Sequence, residues 1–88
     1  MRRDKQTVLD LLTVIVDLPW LGGVSLPDLK SAYIDKFGQF EEKELYSLYL
    51  MVDSGIILKK DADEHHPANV KMTWAAHDLL DELRVKLG

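Results

Sequence analysis

Histidine is the side chain in this sequence with the widest chemical range, and its placement limits what it can do. His65 and His66 are adjacent, and His77 lies well downstream of them. There is no His-x-x-x-His pair and no cysteine, so the ligand spacing of a metal site is missing. His65 and His66 read instead as solvated loop residues beside Asp61, Asp63 and Glu64. His77 is expected at a helix edge, with one ring nitrogen hydrogen-bonded to backbone. No Ser/His/Asp grouping, glycine-rich phosphate loop or paired-carboxylate motif is present either. The expectation is a non-enzymatic chain with no metal, no cofactor and no small-molecule substrate.

Two other sets of side chains are suited to binding macromolecules. Tyr46, Tyr49 and Leu50, with Lys43 and Ser47, fall on one side of a helical segment whose other side is apolar. Tyrosine is enriched at interface hot spots, and the acidic residues around this group would steer it toward a basic protein partner. The plainer account is that one or more of these rings belong to the core. The second set is cationic: Lys59, Lys60 and Lys71 on two short strands, with Arg2 and Arg3 near the start of the chain. These residues fit phosphate contacts, or an ordinary solvated surface. Against DNA, Glu41, Glu42 and Glu44 open the same helix that would enter a groove, and that helix has no arginine to read guanine.

The stretch Glu41–Thr73 positions both sets. It reads as a helix over Glu41–Asp53, a stop at Ser54-Gly55, and a β-run over Ile56–Asp61. A polar tip, Ala62–Asn69, leads to a return strand over Val70–Thr73. Gly55 makes the turn, because only glycine reaches the left-handed C′ conformation cheaply. Leu45, Leu48, Met51 and Val52 are the predicted core side of that helix.

Upstream, a first helix is predicted from Asp4 to Leu18, ending before Pro19. Val8, Leu11, Leu12, Ile15 and Leu18 form its core stripe. Leu9, Val14 and Val16 widen the stripe beyond what a surface helix needs. A helix at the centre of a small domain accounts for this, and a dimer interface is the alternative. Leu18–Val24 is a loop from which Trp20 is expected to fold back on the core. A second helix starts at Ser25 as N-cap, with Pro27 in its first turn and Asp28 at N3, and ends at Gly38. Leu29, Ala32, Tyr33 and Phe37 form its buried side. A fourth helix, capped by Thr73, runs to Leu87 on an inner stripe of Ala76, Leu79, Leu80, Leu83 and Leu87.

Eighty-eight residues, 47% of them hydrophobic and 30% charged, make a single globular domain spanning 1–88. The formal charge of −4 argues against a chain that wraps phosphate backbones. Cysteine is absent, which suits a reducing cytoplasm. Arg2, Arg3 and Lys5 before Val8–Val16 have the outline of a signal peptide, but Asp10 and Asp17 interrupt the apolar run. No stretch approaches the roughly 18 apolar residues of a membrane span. The expected location is therefore the cytoplasm.

Three segments resemble the DUF2513 family, small proteins found mainly in phages and prophage-bearing bacteria. They are Met1-Arg-Arg-Asp4 leading into an apolar helix, Tyr46-Ser-Leu-Tyr-Leu-Met-Val-Asp-Ser-Gly-Ile-Ile57, and Met72-Thr-Trp-Ala-Ala-His-Asp-Leu-Leu-Asp-Glu-Leu-Arg84. Ser47, Ala76 and Leu79 stand where that family carries histidine, glycine and phenylalanine, and the link Pro19–Phe40 is longer here. The resemblance implies a winged-helix-type module from a mobile element. It supplies no catalytic residue.

The expected fold is mainly α with a β-hairpin wing, a winged helix-turn-helix of order α-α-α-β-β-α, with room for a short strand around Val24. The expected function is that of a phage-type regulatory module that binds a protein. The partner would be itself, a host factor, a repressor or a defence protein, through Lys43, Tyr46, Ser47, Tyr49 and Leu50. The alternative is a dimeric transcriptional regulator that binds double-stranded DNA with the third helix, the wing lysines and Arg2-Arg3.

Overall fold

The computed structural model describes residues 4–18 and 23–87. Arg2, Arg3 and Trp20, with the roles expected for them, lie outside the described residues. Helix α1 (Lys5–Asp17) is the element about which the others are arranged. Asp4 caps it, its Oδ1 accepting the Thr7 N–H at 3.1 Å. Burial takes Val8, Leu9, Leu11, Leu12, Val14 and Ile15, together with Thr7. Leu11 and Leu12 are completely enclosed. The wide apolar stripe is therefore core, because α1 touches α2, α3, α4 and the sheet at once. Of the residues that would have made a dimer face, Leu9 and Val14 are buried and only Val16 is half-buried.

The chain re-emerges at Gly23, with φ +108°, where an added Cβ would stand 3.1 Å from the Val70 carbonyl oxygen. That close approach sets strand β1 (Val24–Ser25) against a later strand, and the short strand expected near Val24 is present. Helix α2 (Leu26–Phe37) follows at once. Its Asp28 N–H donates to Ser25 Oγ at 3.2 Å, and its Leu26 N–H to the Ala68 carbonyl at 2.7 Å. Leu29 and Tyr33 are its buried residues. Phe37, expected inside, is 39% exposed and lies with its ring 4.8 Å from that of Tyr33. Its place in the last turn carries it past the end of the core.

Helix α3 (Glu42–Asp53) buries Glu44, Ser47, Leu48 and Met51, while Leu45 and Val52 are only half-buried. The core side is thus turned by about 60° from the one its apolar residues mark out. The helix closes as a Schellman turn: Gly55 (φ +75°) donates its N–H to the Val52 carbonyl at 3.1 Å, and Ile56 donates to that of Met51 at 2.9 Å. Strands β2 (Ile57–Lys60) and β3 (Asn69–Met72) then form an antiparallel hairpin. The sheet order is β1-β3-β2.

Helix α4 (Trp74–Leu87) starts on Thr73, whose Oγ1 accepts the Ala76 N–H at 3.1 Å and donates to the Ile56 carbonyl. The Thr73 N–H reaches that same carbonyl at 3.4 Å. Ala76, Leu80 and Leu83 are buried and Leu79 is half-buried. Leu87, expected on the inner stripe, is 43% exposed because the helix outruns the core there. The described residues form a mainly helical fold of four helices with a small antiparallel sheet. None of its helices is long and apolar enough to cross a membrane.

Candidate interaction face of helix α3 and the β2–β3 hairpin

A side chain on α3 advances by about 100° per residue, so positions i, i+4, i+7 and i+11 stay within an arc of about 60°. Glu42, Tyr46, Tyr49 and Asp53 occupy such a set on the side opposite the core. Glu42, Tyr49 and Asp53 are exposed and Tyr46 is half-buried. The outward stripe therefore runs acid, tyrosine, tyrosine, acid, and Tyr49 is 44% exposed at its centre. The acidic flanks expected around the tyrosines are Glu42 and Asp53, which the i, i+4, i+7, i+11 spacing sets on the same side.

The five α3 residues expected to act together are in four places. Tyr46 and Tyr49 share the stripe. Lys43 sits on a flank near the start of α1, where its charge adds to the lowering of the Asp4 carboxyl. The larger cause of that lowering is the Thr7 N–H, followed by the Thr7 hydroxyl. Leu50 turns the other way along the same flank into an apolar groove of about 380 Å³. Val8 of α1, Met51 and Ile56 around the α3 turn, and Leu79 and Leu83 of α4 also line this groove. Ser47, expected outward, is 1% exposed. It is a core residue because α3 lies tightly against its neighbours at that point and a small side chain fits the contact.

Glu44 corrects the electrostatic picture. It is 1% exposed, so only Glu41 and Glu42 of the three glutamates face solvent. A buried carboxylate is tolerable when hydrogen-bonded and placed at the positive end of a helix. Glu44 Oε2 meets both conditions by accepting the Glu41 N–H at 3.2 Å. Its charge is felt across the core at Tyr33. Burial first, and then the negative charges of Glu44, Asp10 and Asp4, push the Tyr33 phenol well above its ordinary range.

The three hairpin lysines do not form one face. Successive residues of a strand point to opposite sides. The register pairs Lys59 with buried Val70, Leu58 with Lys71, and Lys60 with Asn69. Lys59 therefore lies on the inner side of the sheet, with its Nζ 5.4 Å from the centroid of the Tyr49 ring. Lys60 and Lys71 lie on the outer side with Leu58, which is 56% exposed. Lys59 joins the tyrosine stripe in place of a phosphate-binding row.

At the hairpin tip, Asp63 Oδ1 accepts the N–H groups of His65 and His66, both at 2.8 Å, and the Asp63 N–H returns to the His66 carbonyl. Those two N–H bonds hold the Asp63 carboxyl below its usual range. His65 and His66 are exposed, as expected for loop residues. His77 is exposed on α4, and its ring makes no hydrogen bond to backbone among the described residues. Also among the described residues, no three of His, Cys, Asp and Glu gather where they could hold a metal ion.

Comparison with family models, with curated proteins and with solved structures finds no match to this chain.

Proposed function

We propose that this chain is a winged-helix regulatory module, not an enzyme, and that it acts by binding a protein through the outward stripe of α3. The order α1-β1-α2-α3-β2-β3-α4, with β1 added to the hairpin on the β3 side, supports the winged-helix reading. A phage-type origin rests on the resemblance of Tyr46–Ile57 and Met72–Arg84 to the DUF2513 pattern. The observation that carries the protein-binding reading is the stripe itself. Two tyrosines stand between two carboxylates, and Lys59, paired with Asp61 at 3.5 Å, places its Nζ over the Tyr49 ring. Such a surface repels a phosphate backbone and suits a basic, partly apolar protein surface.

Lys60 and Lys71, together on the outer side of the hairpin, favour a second reading, in which the wing contacts DNA phosphates. One comparison separates the two. Affinity capture from the native host is run with the wild type and with Tyr49→Ala, at physiological and at raised salt. The protein reading expects a captured protein that survives the salt and is lost with Tyr49→Ala. Binding to random duplex DNA that falls steeply with salt, and disappears in Lys60→Ala/Lys71→Ala, would overturn it.

A further inference from the structure

The outer side of α4 carries a second stripe at the same i, i+4, i+7, i+11 spacing, formed by Trp74, Asp78, Asp81 and Val85. All four are exposed. Trp74 is 84% and Val85 86% accessible, the two most exposed large apolar side chains described. An indole buries more apolar area than any other side chain, so leaving one in water forgoes a large gain. Asp78 and Asp81 lie between the two apolar ends, and neither makes an ion pair or hydrogen bond among the described residues. The one ion pair on this helix, Lys86 to Glu82 at 2.7 Å, stands beside the stripe.

We infer that this stripe is a docking face for an amphipathic helix of another protein, one that presents two basic residues between two apolar ones. Charge identifies the occupant. A second copy of this chain would bring α4 against α4 about a two-fold axis. Antiparallel packing then places Asp78 against Asp81 of the other copy, and parallel packing places each aspartate against itself. Both arrangements set carboxylate on carboxylate. A partner with arginine or lysine at the two middle positions neutralises both aspartates, and its apolar ends cover Trp74 and Val85.

The spacing adds a geometric condition. Four positions spaced 4, 3 and 4 residues apart read the same in either direction, so such a partner helix fits parallel or antiparallel. The stripe is about 16 Å long at the helical rise. At a helix width of about 10 Å it covers on the order of 160 Å², well short of the roughly 800 Å² per side of a stable interface, so the contact is a transient one in which charge sets the selectivity. This surface is separate from the α3 stripe and does not depend on the function proposed for it.

The test uses the whole chain and two synthetic helical peptides. One carries Leu, Arg, Arg and Leu at the i, i+4, i+7, i+11 positions, and the other carries Glu in place of Arg. Binding is read from the Trp74 indole and the α4 amide resonances, with Trp74→Phe assigning the indole. The arginine peptide is expected to shift Trp74 and the outer positions of α4, and the glutamate peptide to leave them unmoved. Asp78→Asn/Asp81→Asn and Trp74→Ala are each expected to weaken binding by more than about tenfold. These residues are exposed, so each variant should keep the wild-type melting temperature.

Four results would overturn the inference. The two peptides could shift the same resonances equally, or the arginine peptide could move nothing up to about millimolar concentration. Light scattering could instead find a wild-type dimer that Trp74→Ala dissolves, giving the face to a second copy. Shifts confined to the α3 stripe would also overturn it, while leaving the function proposed for α3 intact.

Discussion

At the scale of single residues, Gly55 isolates a backbone effect, since no atom beyond its chain neighbours lies within 4 Å of where its Cβ would be. Gly55→Val therefore meets no steric neighbour and should cost ~1–2 kcal/mol from the left-handed backbone alone. An unchanged melting temperature would show that this turn tolerates a side chain. Ser47 sits in a closed space, so Ser47→His, the residue of the resembling family, should overpack α3 by ~1–3 kcal/mol in denaturant titrations. Tyr33 supplies a pH dependence. Its pKa is raised in the folded state by burial and by Glu44, Asp10 and Asp4, so the folded chain holds the phenol proton more tightly than the unfolded one. That stabilisation is complete below the unfolded value of about 10 and is lost as pH rises through the higher folded value. Tyr33→Phe removes the effect and should move the midpoint of alkaline unfolding to higher pH. A midpoint that stays in place or falls would count against it.

Among the elements, the helices and the hairpin were legible in the sequence because their signals are local. Ser25, Gly38, Gly55 and, as the cap of α4, Thr73 each make their capping or turn bonds within a few residues of their own position. The faces were less legible. Of the apolar residues that mark out a core side on α3, Leu48 and Met51 are buried, but Glu44 and Ser47 take the places expected for Leu45 and Val52, one held at its own helix end and the other small enough to fit. The lysines were grouped by type although Lys59 and Lys60 are neighbours on a strand, and alternation alone puts them on opposite sides. Their partners across the hairpin come from a register that no local signal encodes. The corrected grouping makes a sharper prediction. If the outer side of the hairpin touches phosphate, Lys60→Ala and Lys71→Ala should each flatten the salt dependence of DNA affinity, and Lys59→Ala should not. Lys59→Ala should instead weaken any binding that depends on Tyr49, since it removes the cation from that ring. Equal effects of all three on DNA affinity would return them to one surface.

For the molecule as a whole, α1 is the common neighbour, and its apolar residues are shared among the surrounding elements. Val14 is 4% exposed, so Val14→Asp should unfold the chain and not split a dimer. Light scattering of the wild type should give the monomer mass. A dimer that Val14→Asp converts into a folded monomer would contradict this arrangement. The Ile56–Thr73 contact has a consequence of its own for how the molecule opens. The Ile56 carbonyl takes both the N–H and the hydroxyl of Thr73, the Ile56 N–H closes α3, and the Thr73 oxygen holds the first turn of α4. The root of the hairpin cannot loosen without freeing the start of α4 as well. Under native conditions the amide protons of Ile56, Thr73 and Ala76 should then exchange with solvent at a single shared opening free energy, and Thr73→Val should release all three together while amides in the middle of α1 keep their protection.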